Sequence, residues 1–230
     1  MDKQQKAGTV RPVVVWDLPV RLFHWILVAL LVVAWSTAQG GLEWMRYHLL
    51  AGYAILALLV FRLMWGFFGS FHARFSSFLA SPRAAWRYGV DLAQGRHQSY
   101  LGHNPLGGYM VLLLLALVLT QVVTGLFASD DIFFRGPLAS HVSARFSRAA
   151  TAVHKLNINV LIAAVALHVI AIAYYRWRLG ENLVKAMFTG KKEVECGLGQ
   201  PPAQTEVSIW RALILGMLSI ALAAWIATGL

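Results

Sequence analysis

One cysteine, Cys196, occurs in these 230 residues. Its solitude excludes an intramolecular disulfide, a thiolate metal cluster and any Cys-x-x-Cys-His attachment point for a covalently held porphyrin. Charge is scarce as well, at 13% of positions against 58% hydrophobic. Asp and Glu number ten, and none lies inside a long apolar run away from its ends. Ionisable groups in hydrocarbon are costly and usually functional, and ion carriers normally place carboxylates among them, so a transporter is hard to build here. A metal-dependent membrane hydrolase would want carboxylates or a His-x-x-His spacing with an open water position, and no such spacing occurs. No internal repeat argues for duplication.

What is abundant is apolar sequence gathered into runs. A hydrocarbon core of about 30 Å needs roughly 20 apolar helical residues. Five stretches qualify, at 20–38, 48–69, 105–128, 152–175 and 209–229. The expected fold class is therefore an all-α integral membrane protein. The first stretch carries His24, lacks a small-residue cleavage site and follows a polar leader, so it reads as a retained span rather than a signal peptide.

The net charge of +10 suggests nucleic acid until the charges are placed. Fifteen cations fall on the side of the N-terminus: Lys3, Lys6, Arg11, Arg21, Arg62, Arg74, Arg83, Arg87, Arg96, Arg176, Arg178, Lys185, Lys191, Lys192 and Arg211. The other side holds five, Arg46, Arg135, Arg145, Arg148 and Lys155. This is a positive-inside bias rather than a nucleic-acid stripe. It predicts a cytoplasmic N-terminus and, after five spans, a C-terminus on the far side of the membrane.

The connections differ in character. Residues 39–47 read as a short link. Segment 70–104 carries Ser81-Pro82 as a helix start, with Arg83, Trp86, Arg87, Tyr88 and Val90 behind it, and predicts a short amphipathic helix on the membrane surface. Segment 129–151 is expected to fold over the outer end of the bundle or to meet a partner. The fifth span contains no histidine and follows a polar stretch with Gly197, Gly199, Pro201 and Pro202. The division expected is a four-helix unit at 1–192 and a linker with a fifth helix at 193–230.

Histidine placement carries the chemistry. His154 and His168 are fourteen residues apart, close to four helical turns, so both leave one face about 21 Å apart along the axis. His24 opens span one on the cytoplasmic side and His48 opens span two on the outer side. Span four runs from outside to inside, which matches His24 with His168 and His48 with His154 in depth. A neutral imidazole ligates iron while its other ring N–H is held by a carbonyl or hydroxyl, and two from different helices hold a haem edge-on. The pattern points to two non-covalent haems, the alternative for each histidine being a hydrogen-bonded interfacial residue. His72, His97, His103 and His141 lie in loops and read as solvated or interfacial.

Glycines and cations supply secondary candidates. Gly107 and Gly125 stand eighteen residues apart, five full turns, on a span without a ligand, and Gly52 follows His48 by one turn. Each either lets a macrocycle approach the backbone or serves small-residue helix packing. Anionic propionates would be met by Arg21, Arg74 and His103 on the inner side and by Arg46, Arg148 and Lys155 on the outer side.

Several phrases together resemble a known family. They are Trp16-Asp17-Leu18-Pro19-Val20-Arg21-Leu22-Phe23-His24-Trp25, His48 with Gly52-Tyr53, Arg62-Leu63-Met64-Trp65-Gly66, Gly102-His103-Asn104-Pro105-Leu106-Gly107-Gly108, His154-Lys155 and His168. Over residues 15–192 the chain resembles the bacterial cytochrome b561 and nickel-iron hydrogenase cytochrome b subunits. The resemblance implies a four-helix cytochrome with two haems b, ligated by His24, His48, His154 and His168. Its partners would be membrane quinone and a redox protein, either a dehydrogenase or hydrogenase subunit or a periplasmic c-type cytochrome. Two other readings remain open: a superoxide-to-quinone oxidoreductase with a basic outer entrance (Arg46, Arg145, Arg148, Lys155), and a non-redox anchor for a soluble enzyme.

Overall fold

Helix α1 (Leu18–Gln39) starts where Asp17 accepts a 2.7 Å hydrogen bond from the Val20 N–H, with proline in the first turn. The carboxylate satisfies an orphan donor and the proline presets φ. The computed structural model describes residues 10–195 and 208–229; Lys3, Lys6, Cys196, Gly197, Gly199, Pro201 and Pro202 lie outside them. After α1 the chain reverses within Gly40 and Gly41, the latter at φ 82°, and enters α2 (Leu42–Phe68). The expected link at 39–47 is thus two residues long. Hydropathy marked the lipid-facing length, whereas Glu43, Arg46 and Tyr47 continue the same helix into the interface.

A single-turn 3₁₀ segment (Phe71–Ala73) and the short α3 (Phe75–Phe78) lead to α4 (Pro82–Ala93). Ser81 caps α4, accepting from the Ala84 N–H at 3.3 Å, as its Ser-Pro signal predicts. Asn104 caps α5 (Pro105–Phe127) by accepting from Gly107 N–H at 2.7 Å. Ser143 then caps α6 (Ala144–Arg178), 35 residues and, at 1.5 Å each, about 52 Å long. This helix begins eight residues before the apolar run does. Helix α7 (Leu183–Thr189) and α8 (Ile209–Ala227) complete the helical set.

One element has no counterpart in the sequence reading. Strand β1 (Val10–Val14) pairs antiparallel with β2 (Lys191–Glu195). This ties the entrance of α1 to the exit of α6 and α7, so the starts of α1, α5 and α8 and the ends of α2 and α6 share one face, called here the amino-terminal face.

Helices α1 and α2 form one hairpin and α5 and α6 another, joined where α2 packs on α5. The core consists of Ile55, Leu56 and Leu59 from α2, Val118, Val122 and Leu126 from α5, Leu161 from α6 and Ala223 from α8. Helix α8 lies along α2, with Arg211 donating to the Phe68 carbonyl at 3.1 Å. Outward-facing residues such as Val32, Ile170 and Met217 are apolar and exposed. Five helices long and apolar enough to cross a bilayer, apolar on their outer faces as well as their inner ones, make this a multi-pass membrane protein. Segment 128–143 folds back over the end of α5, where Leu138 N–H donates to the Leu126 carbonyl at 3.0 Å.

Candidate functional site

His48 on α2 and His154 on α6 face each other at the end opposite the amino-terminal face, with ring centroids 6.1 Å apart and planes at 86°. With metal–imidazole bonds of about 2 Å, two imidazoles trans on one ion place their centroids roughly 6 Å apart. Both rings are oriented through Nδ1: His48 Nδ1 lies 2.8 Å from the Ala34 carbonyl and His154 Nδ1 2.8 Å from the Gln121 carbonyl. A carbonyl acceptor requires the proton on Nδ1, which leaves each Nε2 lone pair available to a metal.

The surroundings of His154 hold residues that the sequence reading missed. Asn157, buried within the bundle, donates to the Leu117 carbonyl at 2.9 Å and to Gln121 Oε1 at 2.7 Å. The Gln121 amide nitrogen reaches the His154 carbonyl at 3.1 Å and His154 Nε2 at 3.2 Å. When a metal takes Nε2, the carbonyl remains as the amide's acceptor. The signal for these two residues was present as uncharged polar side chains in otherwise apolar runs, but a search limited to ionisable groups passes over them.

The glycines separate by environment. A Cβ on Gly125 would stand 3.0 Å from His154 Cε1, so the bare backbone makes room for the imidazole itself. A Cβ on Gly52 meets nothing within 4 Å, leaving open space one turn from His48. Gly107 lies against the Asn104 cap, 3.3 Å from Oδ1, and its local role is to let that cap form.

At the amino-terminal face His24 on α1 and His168 on α6 are half-buried and lie within coulombic reach of each other. Around them the interior holds polar atoms with no hydrogen-bond partner among the described residues: His24 Nδ1, Trp25 Nε1, His72 Nε2, His103 Nδ1 and Arg21 Nε. Buried polar atoms are normally satisfied, so this concentration of unmet donors and acceptors suits a polar-edged anionic group. The facing imidazoles of His48 and His154 at one end, and two half-buried imidazoles among unmet polar atoms at the other, fit a haem at each. Among the described residues no group of three or more His, Cys, Asp or Glu is placed to hold a bare ion, whereas a porphyrin needs only a pair.

Loop histidines proved less solvated than expected. His103 is wedged between Trp16 and Phe78, with centroids at 4.6 and 4.7 Å. Burial, and after it the charge of Arg62, push its pKa down to about 3. Burial also lowers that of His72. His97 is 2.8 Å from Glu181 Oε1. Local polarity suggested solvent, but the turns before and after α4 leave His72, His97 and His103 only half-exposed. His141 is exposed as expected.

The candidate cations divide similarly. Arg21 Nη1 donates to the Phe188 carbonyl at 2.6 Å and Arg74 Nε to the Gly69 carbonyl at 3.0 Å, both at the amino-terminal face. Arg46 and Lys155 are exposed toward the other end. Arg62, by contrast, is buried, donating to the Ala73 carbonyl at 3.2 Å with its guanidinium 5.0 Å above the Phe75 ring.

The sequence is similar to that of known proteins. The family model described as prokaryotic cytochrome b561 matches residues 15–190. A probable Ni/Fe-hydrogenase B-type cytochrome subunit of Azotobacter vinelandii is 29% identical over 131 residues, covering 46% of this chain and 54% of the relative. The probable Ni/Fe-hydrogenase 1 B-type cytochrome subunit of Escherichia coli strain K12 is 25% identical over 147 residues, covering 53% and 62%. A counterpart from Rhizobium leguminosarum bv. viciae is 27% identical over 146 residues, covering 53% and 61%. The chain thus spans between 54% and 62% of the length of these relatives. No solved structure matches.

Proposed function

The chain belongs to the prokaryotic cytochrome b561 family, whose b-type cytochromes imply haem b and membrane electron transfer, and from that premise we propose that it holds two haems b and moves single electrons between a redox protein and the quinone pool. His48 with His154 is the ligand pair of one site and His24 with His168 that of the other. The observation that carries this reading is the 6.1 Å approach of His48 and His154 from separate helices, each with Nδ1 on a backbone carbonyl.

A haem held between two of these imidazoles would supply one-electron exchange rather than oxygen chemistry. The protein's own part is positional. Helix α6 carries one ligand of each pair, fourteen residues and about 21 Å apart, so a single element sets the spacing of the two centres. The backbone acceptors at Ala34 and Gln121 hold the imidazoles in the tautomer a metal requires. The unmet donors of Arg21, Trp25 and His103 suit propionates at the amino-terminal face, and Arg46 and Lys155 are the cations nearest the other end.

The names of the relatives support a hydrogenase subunit as the redox partner, and a dehydrogenase subunit or a periplasmic c-type cytochrome would serve the same chemistry. The cation asymmetry supports a cytoplasmic amino-terminal face in the bacterial inner membrane, with the C-terminus periplasmic. Residues 1–192 form the haem-bearing unit, and 193–230 add the helix that rides on α2.

A dithionite-reduced minus oxidised spectrum with a pyridine haemochrome count tests the reading. It calls for two non-covalent haems b per chain, falling to one in His48→Ala and in His168→Ala. A count of zero, or alanine variants that keep both haems, would overturn it.

A further inference from the structure

Helix α4 lies beside α5 at the amino-terminal face, and its residues divide into a buried and an outward stripe. Ala85 and Tyr88 are buried, while Arg83, Trp86, Arg87 and Val90 look outward. Trp86 is 75% exposed. Between these stripes opens a cavity of about 260 Å³, with Arg83, Arg87, Tyr88, Asp91, Arg96 and Tyr100 in its walls. Arg96 is paired with Asp91. Arg83 and Arg87 have no carboxylate partner among the described residues, so the cavity keeps two uncompensated guanidinium groups.

We propose that this cavity binds the phosphate of an anionic phospholipid headgroup. Guanidinium forks match the oxygens of a phosphate in a way that single ammonium charges do not. A basic pocket beside membrane helices, on the face where cations accumulate, is where anionic headgroups are held. A soluble phosphate shares that chemistry, but the outward stripe favours the lipid. Trp86 and Val90 sit next to the cavity on the same helix, an aromatic and an aliphatic group at the depth where headgroup gives way to acyl chain.

The floor of the cavity connects inward. Tyr88 hydroxyl lies 2.7 Å from that of Tyr175 on α6, and Asn104, which caps α5, donates to the Tyr175 hydroxyl at 2.8 Å. A headgroup seated on Arg83 and Arg87 therefore rests on the joint between α4, α5 and α6. None of the four candidate haem ligands lies in the walls of the cavity.

Native mass spectrometry of the purified holoprotein, supplied with phosphatidylglycerol or phosphatidylcholine, tests this. The wild type should retain the anionic lipid about tenfold or more over the zwitterionic one, and Arg83→Gln/Arg87→Gln should bring retention to parity. Arg176→Gln/Arg178→Gln removes the same charge from the same face outside the cavity and should keep the preference. Should the first variant fail to fold, Arg87→Lys keeps the charge, loses the fork and should lower the preference severalfold. The proposal is overturned if the cavity variants retain the preference, if both double variants lose it equally, or if millimolar inorganic phosphate displaces the lipid and binds in its place.

Discussion

Trp65 on α2 donates its indole N–H to Asp17 Oδ2 at 2.9 Å, while Oδ1 of the same carboxylate caps α1. Trp65 is fully buried and Asp17 nearly so. One side chain therefore starts the helix that carries His24 and fixes it to the helix that carries His48.

Replacing Asp17 by Ala should remove the cap and strand the indole N–H. A lost cap costs about 0.5–2 kcal/mol and an unsatisfied buried donor about 1–3 kcal/mol. The sum predicts a clear drop in the thermal midpoint in detergent, with Asp17→Asn, which keeps an acceptor, falling between it and the wild type. Equal midpoints for Asp17→Ala and wild type would refute the double role.

Gly125 and Gly52 should both matter to haem content, one by making room for a ligand and the other by leaving open space. Gly125→Val pushes a side chain into the space of the His154 ring and should cost one haem per chain. Gly52→Leu meets no protein atom at its Cβ, so the helical circular dichroism of the membrane-inserted chain should stay unchanged. If that open space is where a macrocycle lies, the same variant lowers haem content; full haem content in Gly52→Leu would place the macrocycle elsewhere.

Asn157→Leu should leave Gln121 Oε1 and the Leu117 carbonyl without their donor, at about 1–3 kcal/mol for the unsatisfied groups. With Gln121 freed to rotate, the orientation of His154 loosens. The expected signature is a changed low-temperature EPR signal and a shifted midpoint potential for one haem only, with the other unmoved. A shift of both or of neither would argue against a local positioning role.

Acid should destabilise the amino-terminal face before it touches exposed carboxylates. His103 has a folded pKa near 3 against an ordinary value of 6.5, and that of His72 is lowered too. Below 6.5 the unfolded chain takes up protons that the folded chain refuses, so stability is full above about pH 6.5 and declines as the pH falls toward 3. Burial alone would raise Glu181, but hydrogen bonds from Ser99, His97 and Lys192 outweigh it and hold the carboxyl below its ordinary value. Its contribution is lost further down, as the pH falls through the folded pKa. In His103→Asn the first part of this decline should shrink, as read from thermal midpoints between pH 7 and 4.

The five spans were legible because lipid exposure demands apolar residues all round a helix, and the α4 start was legible in Ser81-Pro82. Helix length was not, since charged residues (Glu43 and Arg46, Arg145 and Arg148) break the apolar runs in the first turns of α2 and α6. The β1–β2 pairing joins segments some 180 residues apart, and no local pattern reports such a partner. At the site, the depths of the four histidines followed from alternating span direction. The half-buried state of His72 and His103 did not, because it is created by the fold of segment 70–104 rather than by its composition. Gln121 and Asn157 were invisible to a reading keyed to charge.

Helix α6 contains neither glycine nor proline across its 35 residues, so it lacks the usual places for a kink. Whatever leans on its protruding end, tilting it by a few degrees, swings His154 and His168 together as points on a stiff rod. A docking event at the rim is in this way felt mechanically at both levels of the membrane, and the two imidazoles cannot be detuned one at a time by bending the element they share.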